Sequence, residues 1–563
     1  MGKSLFEEIL KARGLTGSKR DAFLNPSYDD KHDPFLLPDM GRAVERLVRA
    51  HGKQEKITIY GDYDIDGLTA TTLLLDALEK FGFLHVDAFI PNRFVEGYGM
   101  TVDAVERIAA DGARLIITVD CGSLSEKEII RANELGVDVI VTDHHNVAST
   151  QPPAVAVINP KRLLADHPDE YQNYILKSDS KKANELYPFL DLAGVGVAFK
   201  LIQALQTKLD GLAPGQEKWL LDLMALGTVC DVVTLVDENR ANVFWGLKVL
   251  AKAHRPGLKA LMAVAGVEPA TVNARSLGFA LGPRMNAAGR LETAQHALDM
   301  LRATDSMEAL KFAQQLDVLN TTRRSEQAVI VKEAVVQAEQ YKNDNVLVLS
   351  SKGWNHGIIG IVAAKMLEKY KKPAYVLEEM GEEAKGSARS YGDFSAADAI
   401  RAADDIITKG GGHKLAAGVT LPTKNIPAFR ERVNDFYKEQ KLFDQQSLLL
   451  PHADVTAAAE HITEELVALI AALEPFGNGN PQPVLKSENL LVMHQRRMGS
   501  DSQHVKLDLQ DSNGRILKVL AFSAPAHFFV EPGERVTVWY QPAVNEWQGR
   551  RSVESRLLRL ELS

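Results

Sequence analysis

Residues 56–82 read "KITIYGDYDIDGLTATTLLLDALEKFG". A run rich in β-branched residues, then a cluster of acids, a glycine and a long apolar-periodic segment is the pattern of a strand entering a helix. The alternation repeats as far as about Pro160. Strand-like runs "KITIYGD", "HVDAFIP", "RLIITVD", "VDVIVTD" and "AVAVINP" are separated by the helical periods "LTATTLLLDALEKFG", "TVDAVERIAADG" and "SLSEKEIIRANELG". Short strands alternating with longer helices predict βαβ units and a mostly parallel sheet. Gly82 and Gly136 stand where helix ends favour glycine. Within the opening stretch Asp62, Asp64 and Asp66 alternate. Carboxylates crowded in this way repel one another unless protons or cations neutralise them.

Outward from this core the pattern changes three times. From about Asp191 to Thr304 the chain is mainly helical, with glycine-containing breaks such as "DLAGVGVAFK" and "GFALGPRMNAAGR". Residues 306–340 read as one or two long helices, either a spacer or a bent hairpin. A second α/β lobe follows, with "NVLVLSS" and "PAYVLEE" as strands around the helix "IIGIVAAKMLEKY". Beyond "LEPFGNGNPQP" the helical period gives way to alternating runs, with Asn513-Gly514 as a hairpin turn, which predicts a small β-barrel. From Lys486 onward eleven Lys/Arg stand against nine Asp/Glu, and Trp539, Tyr540 and Trp547 lie among them. Aromatic rings with local positive charge suit single-stranded nucleic acid, although a purely structural barrel reads the same way.

The chain has 563 residues, enough for about three or four domains. Two cysteines, Cys121 and Cys230, are too few for a disulfide framework or a thiolate zinc site. The N-terminal stretch carries no apolar core of signal-peptide length, and no run of about 18 uncharged apolar residues occurs. A cytoplasmic enzyme or binding protein, with no membrane partner, is the expectation. A formal net charge of −9 does not advertise nucleic-acid binding, but basic patches can be local.

Four acidic or acid–histidine clusters each follow an apolar run: "GDYDIDG", "TVDCG" with Asp120, "VTDHH" with Asp143, His144 and His145, and "GTVCDVV" with Asp231. In an open parallel sheet the C-terminal strand ends meet along one edge, so the first three clusters should converge. Carboxylate oxygens with one or two imidazoles suit Mg²⁺ or Mn²⁺. Five or more candidate ligands exceed the needs of one ion and point to a pair roughly 3.5–4 Å apart, a clamp on the attacking and leaving oxygens of phosphoryl displacement. Taken singly, a D-x-D is usually a turn or a helix cap, and Asp-His-His a hydrogen-bonded strand end. Their joint occurrence, in order, favours a metal site.

These residues resemble the DHH phosphoesterase superfamily, and within it the RecJ family of bacterial single-strand-specific exonucleases. "YGDYDIDGLTA", "VDCG", "TDHH" and "GTVCDVV" match the superfamily motifs in order, while "GPRMNAAGRL", "LNTTRR", "GWNHGIIGIVA", "GSARS" and "GGHKLAAG" narrow the likeness to the RecJ type. The resemblance implies an α/β catalytic DHH domain with a parallel sheet, a helical connector, a second α/β DHH-associated domain and a C-terminal OB-like barrel. The expected boundaries are an N-terminal segment at 1–45, the catalytic domain at 46–235, the helical region at 236–342, the substrate-binding DHH-associated domain at 343–440 and the barrel at 448–563. It further implies Asp64, Asp66, Asp120, His144 and Asp231 as ligands of two Mn²⁺ or Mg²⁺ ions, with Asp120 bridging. Asp62 would join the cluster as ligand, base or proton shuttle, Asp143 would orient an imidazole, and His145 would contact the scissile phosphate. Arg93, Ser387 and Arg389 fall where the family binds a terminal 5′-phosphate. Gly411, Gly412 and His413 would face the phosphate backbone, and Arg284, Asn286 and Arg290, with Arg323 and Arg324, the strand path. Asn355 stands where other members carry His, read as a tolerated variant.

The implied activity is metal-dependent 5′→3′ degradation of single-stranded DNA to 5′-mononucleotides in repair and recombination, by a monomer with a single-strand-binding protein and a helicase as protein partners. Two alternatives differ in class: a small-substrate phosphodiesterase of the same superfamily, and a non-catalytic DNA-binding scaffold. Relative rates on a dinucleotide and a long strand separate the first. The full set of acids with His144 argues against the second.

Overall fold

The computed structural model describes residues 2–97, 99–169, 186–442, 445–547 and 549–563. The side chains of Gln445, Trp547 and Arg550 lie outside that description, and with them the expectation placed on Trp547. Two compact units divide the chain. One comprises the stretches up to Asn286, from Thr293 to Gln314 and from Pro451 onward; the other comprises Ala287–Glu292 and Gln315–Leu450.

In the first unit, β1 (Ile57–Gly61), β2 (Val86–Phe89), β3 (Leu115–Val119), β4 (Asp138–Thr142) and β5 (Ala156–Ile158) form an all-parallel sheet ordered β2-β1-β3-β4-β5. Every residue of β1 and β3 is buried, as expected for a parallel sheet covered on both faces. The ladder pairs Gly61 with Val119, Val119 with Thr142 and Thr142 with Ile158. Four strands therefore end level, and whatever follows them emerges along one edge. Strand β1 stops at Gly61, however, and the helix Ile65–Lys80 begins with Asp64 as its N-cap. Only Asp62 directly continues the strand, while Asp66 lies in the first helical turn. The alternating acids thus straddle a strand-to-helix turn.

That helix is buried on nearly all sides, because the helices Gly194–Leu205 and Leu221–Cys230 pack against it. All twelve residues of Gly194–Leu205 are buried. Close approach needs Gly227: a Cβ there would meet Thr69 Oγ1 at 2.3 Å and Asp66 Oδ1 at 3.0 Å. Ser306–Gln340 is one continuous 35-residue helix, so the spacer is the form taken and the hairpin is not.

In the second unit, β6 (Leu347–Lys352), β7 (Ala374–Met380), β8 (Glu383–Arg389), β9 (Lys409–Gly412) and β10 (Ala416–Pro422) are ordered β6-β7-β8-β10-β9. The β6–β7 pair is parallel, with the helix Ile359–Tyr370 as its crossover, and the rest are antiparallel. "GSAR" lies on β8 and "GGG" on the edge strand β9, so the glycine-rich stretch is paired backbone.

The third sheet returns to the first unit. It contains β11 (Val455–Thr456), β12 (Leu485–Met498), β13 (His504–Gln510), β14 (Ile516–Ala521) and β15 (Arg535–Gln541), with the small ribbon β16 (Val544–Trp547) and β17 (Arg550–Val553) preceding β18 (Ser555–Leu562). The order β11-β12-β13-β14-β18-β15 is closed into a barrel by pairing of β12 with β15. Asn513-Gly514 makes the β13–β14 turn, with Gly514 at φ 79°. Leu5, Phe6, Ile9 and Leu10 of the helix Gly2–Ala12 lie in the barrel's core with Val505, Leu507 and Tyr540. Arg13 pairs with Asp454 at 2.6 Å beside them. Among the described residues no helix is long and apolar enough to cross a membrane.

Candidate metal centre

The level strand ends bring the acids together. Asp120 follows β3 and Asp143 follows β4, while Asp231 caps the C-terminus of the helix Leu221–Cys230. Two backbone positions are costly. Asp120 adopts φ 61° and Val232, next to Asp231, φ 63°, a left-handed conformation that side chains with a Cβ rarely take. Gly194 opens its helix against Asp120, where a Cβ would come within 2.8 Å of Asp120 Oδ1.

Three groups of ligand atoms lie within 4.8 Å of one another: Asp62, Asp64 and Asp120; Asp66, His144 and Asp231; Asp120, His144 and His145. Asp120 thus belongs both to an all-carboxylate group and to a histidine-containing one. His144 Nε2 stands 3.1 Å from Asp120 Oδ1, 3.6 Å from Asp231 Oδ2 and 3.9 Å from Asp66 Oδ2. Asp62 Oδ1, Asp120 Oδ1 and His144 Nε2 are buried without a hydrogen-bond partner among the described residues, so the short His144–Asp120 approach is not aligned as a hydrogen bond. Orphaned buried acceptors are costly, and several aimed into one space fit divalent cations. Hard oxygen donors with one imidazole in the Asp66–His144–Asp231 group and two in the Asp120–His144–His145 group suit Mn²⁺ and Mg²⁺.

The electrostatics agree. Burial, with Asp64 beside it, pushes the Asp66 carboxyl up to about 7. Burial and the charges of Asp66 and Asp64 push Asp231 up to about 9. Asp62 and Asp120 are raised well above the carboxylate range, by burial first and then by their acidic neighbours. Burial and the adjoining His145 depress His144 to about 3, which keeps its imidazole neutral and able to bind a cation. His145 behaves oppositely: burial resists its charge, but the Asp143 hydrogen bond at 2.8 Å outweighs that and raises it to about 9. Asp143 Oδ1 also accepts from the His144 and His145 backbone amides, and Oδ2 from Ser123 N. Despite its burial, these donors hold Asp143 well below the usual carboxylate range.

Residues that attracted no notice in the sequence complete the frame. The amides of Gly194 and Val195 donate to Asp66 at 2.6 and 2.8 Å, so a helix N-terminus fixes this carboxylate. Asn159, fully buried, donates to the His145 carbonyl and to Ser123 Oγ. Tyr63 lies under the Arg93 guanidinium at 4.7 Å, and the Arg93 charge acts on Asp62. The "GVG" run at 194–196 shows in the sequence only as a glycine-containing break, and none of the three leaves a spacing that marks its role. Arg284 donates to Ala280 O just after the π-helical turn Leu277–Leu281, and Asn286 is half-buried on the same helix. Cys121 is buried and Cys230 half-buried, and burial of both thiols suppresses their ionisation, in keeping with a packing role.

The second unit gathers its own set. Arg389 donates to Ser387 Oγ at 3.3 Å, and Gly360 leaves room for both. Ser387, Gly411, Lys385 and Lys409 line a cavity of about 440 Å³. Gly412 takes φ 141° and the His413 amide bonds Ala416 O, which closes the turn between β9 and β10. Arg290 donates to Gly357 O. Asn355 accepts from Gly357 N and donates to Glu326, while His356 bonds Glu378. Arg323 is tied to Asn320 and Gln327 on its own helix.

Residues 56–228 match the DHH family, N-terminal domain, residues 343–439 the DHHA1 domain and residues 453–558 the RecJ OB domain. Sheet, acidic centre and domain series together define a phosphoesterase of the DHH class. The single-stranded-DNA-specific exonuclease RecJ of Dickeya dadantii is 35% identical, with 93% of this chain and 90% of that one covered. RecJ of Bacillus subtilis is 37% identical over 97% of this chain, which spans 66% of that longer protein. A Thermus thermophilus RecJ crystal structure in complex with Mn²⁺ superposes with a TM-score of 0.79 at 28% identity, covering 99% of this chain and 77% of that one. The chain belongs to the RecJ family of single-stranded-DNA-specific exonucleases.

Proposed function

We propose that the chain degrades single-stranded DNA from the 5′ end, releasing 5′-mononucleotides by phosphodiester hydrolysis with two Mn²⁺ or Mg²⁺ ions. The observation that carries this is the convergence of buried Asp62, Asp66, Asp120 and His144 with half-buried Asp64 and Asp231, where Asp62, Asp120 and His144 each leave one buried atom unpartnered. Asp62, Asp64 and Asp120 would hold one ion, and Asp66, His144 and Asp231 the other, with Asp120 between them. When bound, the ions supply Lewis-acid activation of water and neutralise charge on the phosphate.

The chain's own residues do the rest. Neutral His144 offers Nε2 as a donor atom, while Asp143 fixes the His145 ring and keeps it protonated near neutral pH, so that it can hand a hydrogen bond to a phosphate oxygen. Arg93, with its plane set by Tyr63, and the Ser387–Arg389 pair are assigned to the terminal 5′-phosphate. Gly411, Gly412 and His413, with Arg284, Asn286 and Arg290, are assigned to the strand. The domain boundaries given above, a monomeric cytoplasmic enzyme, and a single-strand-binding protein and a helicase as partners in repair belong to the same proposal.

The test is digestion of 5′-labelled and 3′-labelled single strands with Mn²⁺, Mg²⁺ or chelator. The 5′ label should be released first, as a mononucleotide, and only with metal. Release from the 3′ end first, or a preference for dinucleotides over long strands, overturns the assignment.

A further inference from the structure

We propose that Lys161 binds the phosphoryl group under attack, its ammonium holding a non-bridging oxygen at the mouth of the metal centre. The proposal rests on phosphodiester hydrolysis at this centre and adds a residue to it.

Placement comes first. Strand β5 ends at Ile158, paired with Thr142, the residue before Asp143-His144-His145. Asn159, Pro160 and Lys161 therefore leave the sheet at the edge where the acids and histidines gather. Asn159 braces this turn on both sides. Its Nδ2 donates to the His145 carbonyl and to Ser123 Oγ, each at 2.9 Å, and its Oδ1 accepts from Lys161 N at 2.9 Å. The Lys161 backbone is thus locked to the His145 backbone through a single buried side chain.

Chemistry comes second. Two cations sit side by side here and are used differently. Arg162 is spent on structure, bonding Asp39 at 2.6 Å, Val157 O at 3.0 Å and Asp166 at 2.8 Å. Lys161 is half-buried, and among the described residues its ammonium makes neither an ion pair nor a hydrogen bond. Its charge is nevertheless felt at the centre, where it disfavours protonation of both His144 and Asp231. An unpaired ammonium within electrostatic reach of these groups, yet held off from direct contact, is suited to an anion arriving from outside. A compact, mobile point charge fits a phosphoryl group whose negative charge shifts between its oxygens during reaction. A mere counter-charge for the acids would lie in salt-bridge contact with one of them.

The experiment compares the full-length wild type with Lys161→Met and Lys161→Arg on a 5′-labelled single strand with Mn²⁺. K161M should lower kcat/KM by roughly a hundredfold, the low end of the range for removing one donor to developing charge. K161R should recover most of that. The salt slope of DNA binding, measured in Ca²⁺ without turnover, should fall by about one in K161M. Mn²⁺ affinity by calorimetry should not fall, because a positive charge near the ligand atoms has been removed, and the melting temperature should stay at the wild-type value. A K161M enzyme within threefold of an active wild type overturns the proposal while leaving the exonuclease assignment intact. Parallel loss of Mn²⁺ affinity or thermal stability also overturns it, by making Lys161 a structural counter-charge. A wild type that releases no nucleotide with Mn²⁺ sinks the underlying assignment instead.

Discussion

Asp120 concentrates the conflict between stability and function. It is 2% exposed, sits at φ 61° and carries one unpartnered oxygen facing His144. Asp120→Asn removes the charge proposed to lie between the two ions and should lower the exonuclease rate at least a hundredfold, about 3 kcal/mol of barrier. In chelator the same variant should melt higher than wild type, because a buried, repelled carboxylate has been removed; an equal or lower melting point in chelator counts against the charge argument. The pH dependence has a definite sign. Asp66 and Asp231 rise from 3.8 to about 7 and about 9 on folding, and His145 rises from 6.5 to about 9. Groups raised in this way contribute stability that is fully present below their unfolded pKa and lost as pH climbs through the folded one. His144, depressed from 6.5 to about 3, is neutral in both states above about pH 7.5 and adds nothing there. The metal-free melting temperature should therefore fall steadily from pH 7 to 9, and Mn²⁺ should abolish the fall. A flat profile in chelator contradicts the coupling. At this scale the acids and histidines were legible because their spacing is chemical; Asn159, Tyr63 and the amides of Gly194 and Val195 were not, because a backbone donor or a bracing amide leaves no spacing to recognise.

Elements decide which face each ligand shows. "DYDID" reads as one alternating unit, yet it divides between the end of β1 and the first turn of Ile65–Lys80, since Asp64 caps the helix through Gly67 N. The period-2 pattern and the start of a helix overlap here, and local sequence cannot say where one stops. Asp231 sits at a helix C-terminus, where the helix dipole disfavours negative charge and a cation is the natural remedy. Gly227 lets that helix approach Thr69 and Asp66. Gly227→Ala should push the two helices apart, cost about 1–3 kcal/mol of stability and weaken Mn²⁺ binding in calorimetry at least tenfold. Unchanged affinity would show that the packing of this pair does not set the ligand positions. The parallel sheet was readable from alternating βαβ segments but its strand order was not, and the single 35-residue helix was readable as helix but not as unbroken, because a bend would preserve the same periodicity.

At the scale of the whole molecule, the first dozen residues complete a barrel built from the last hundred. Ile9 is fully buried among Leu5, Leu507 and Tyr540, and Arg240 ties the region together by donating to the carbonyls of Phe23, Leu473 and Glu474. Ile9→Ala should cost about 2–4 kcal/mol and lower the unfolding temperature of the barrel without changing Mn²⁺ affinity. A joint loss of both would mean that barrel and metal centre unfold as one cooperative body. In the sequence, residues 2–12 stood out only for lacking an apolar core of signal-peptide length, and the surface they cover could not be named, since hydrophobic burial has no address in sequence. Motif order and strand–helix alternation were enough to determine the family, the sheet and the list of acids, because these depend on local propensity and on residue chemistry. Only the tertiary structure decided that Asp66 is held by a distant helix's amides, that Asn159 braces the His145 backbone, and that the N-terminal helix packs into the barrel's core. Each of these joins residues far apart in the chain, and such contacts follow from packing, which no window of sequence contains.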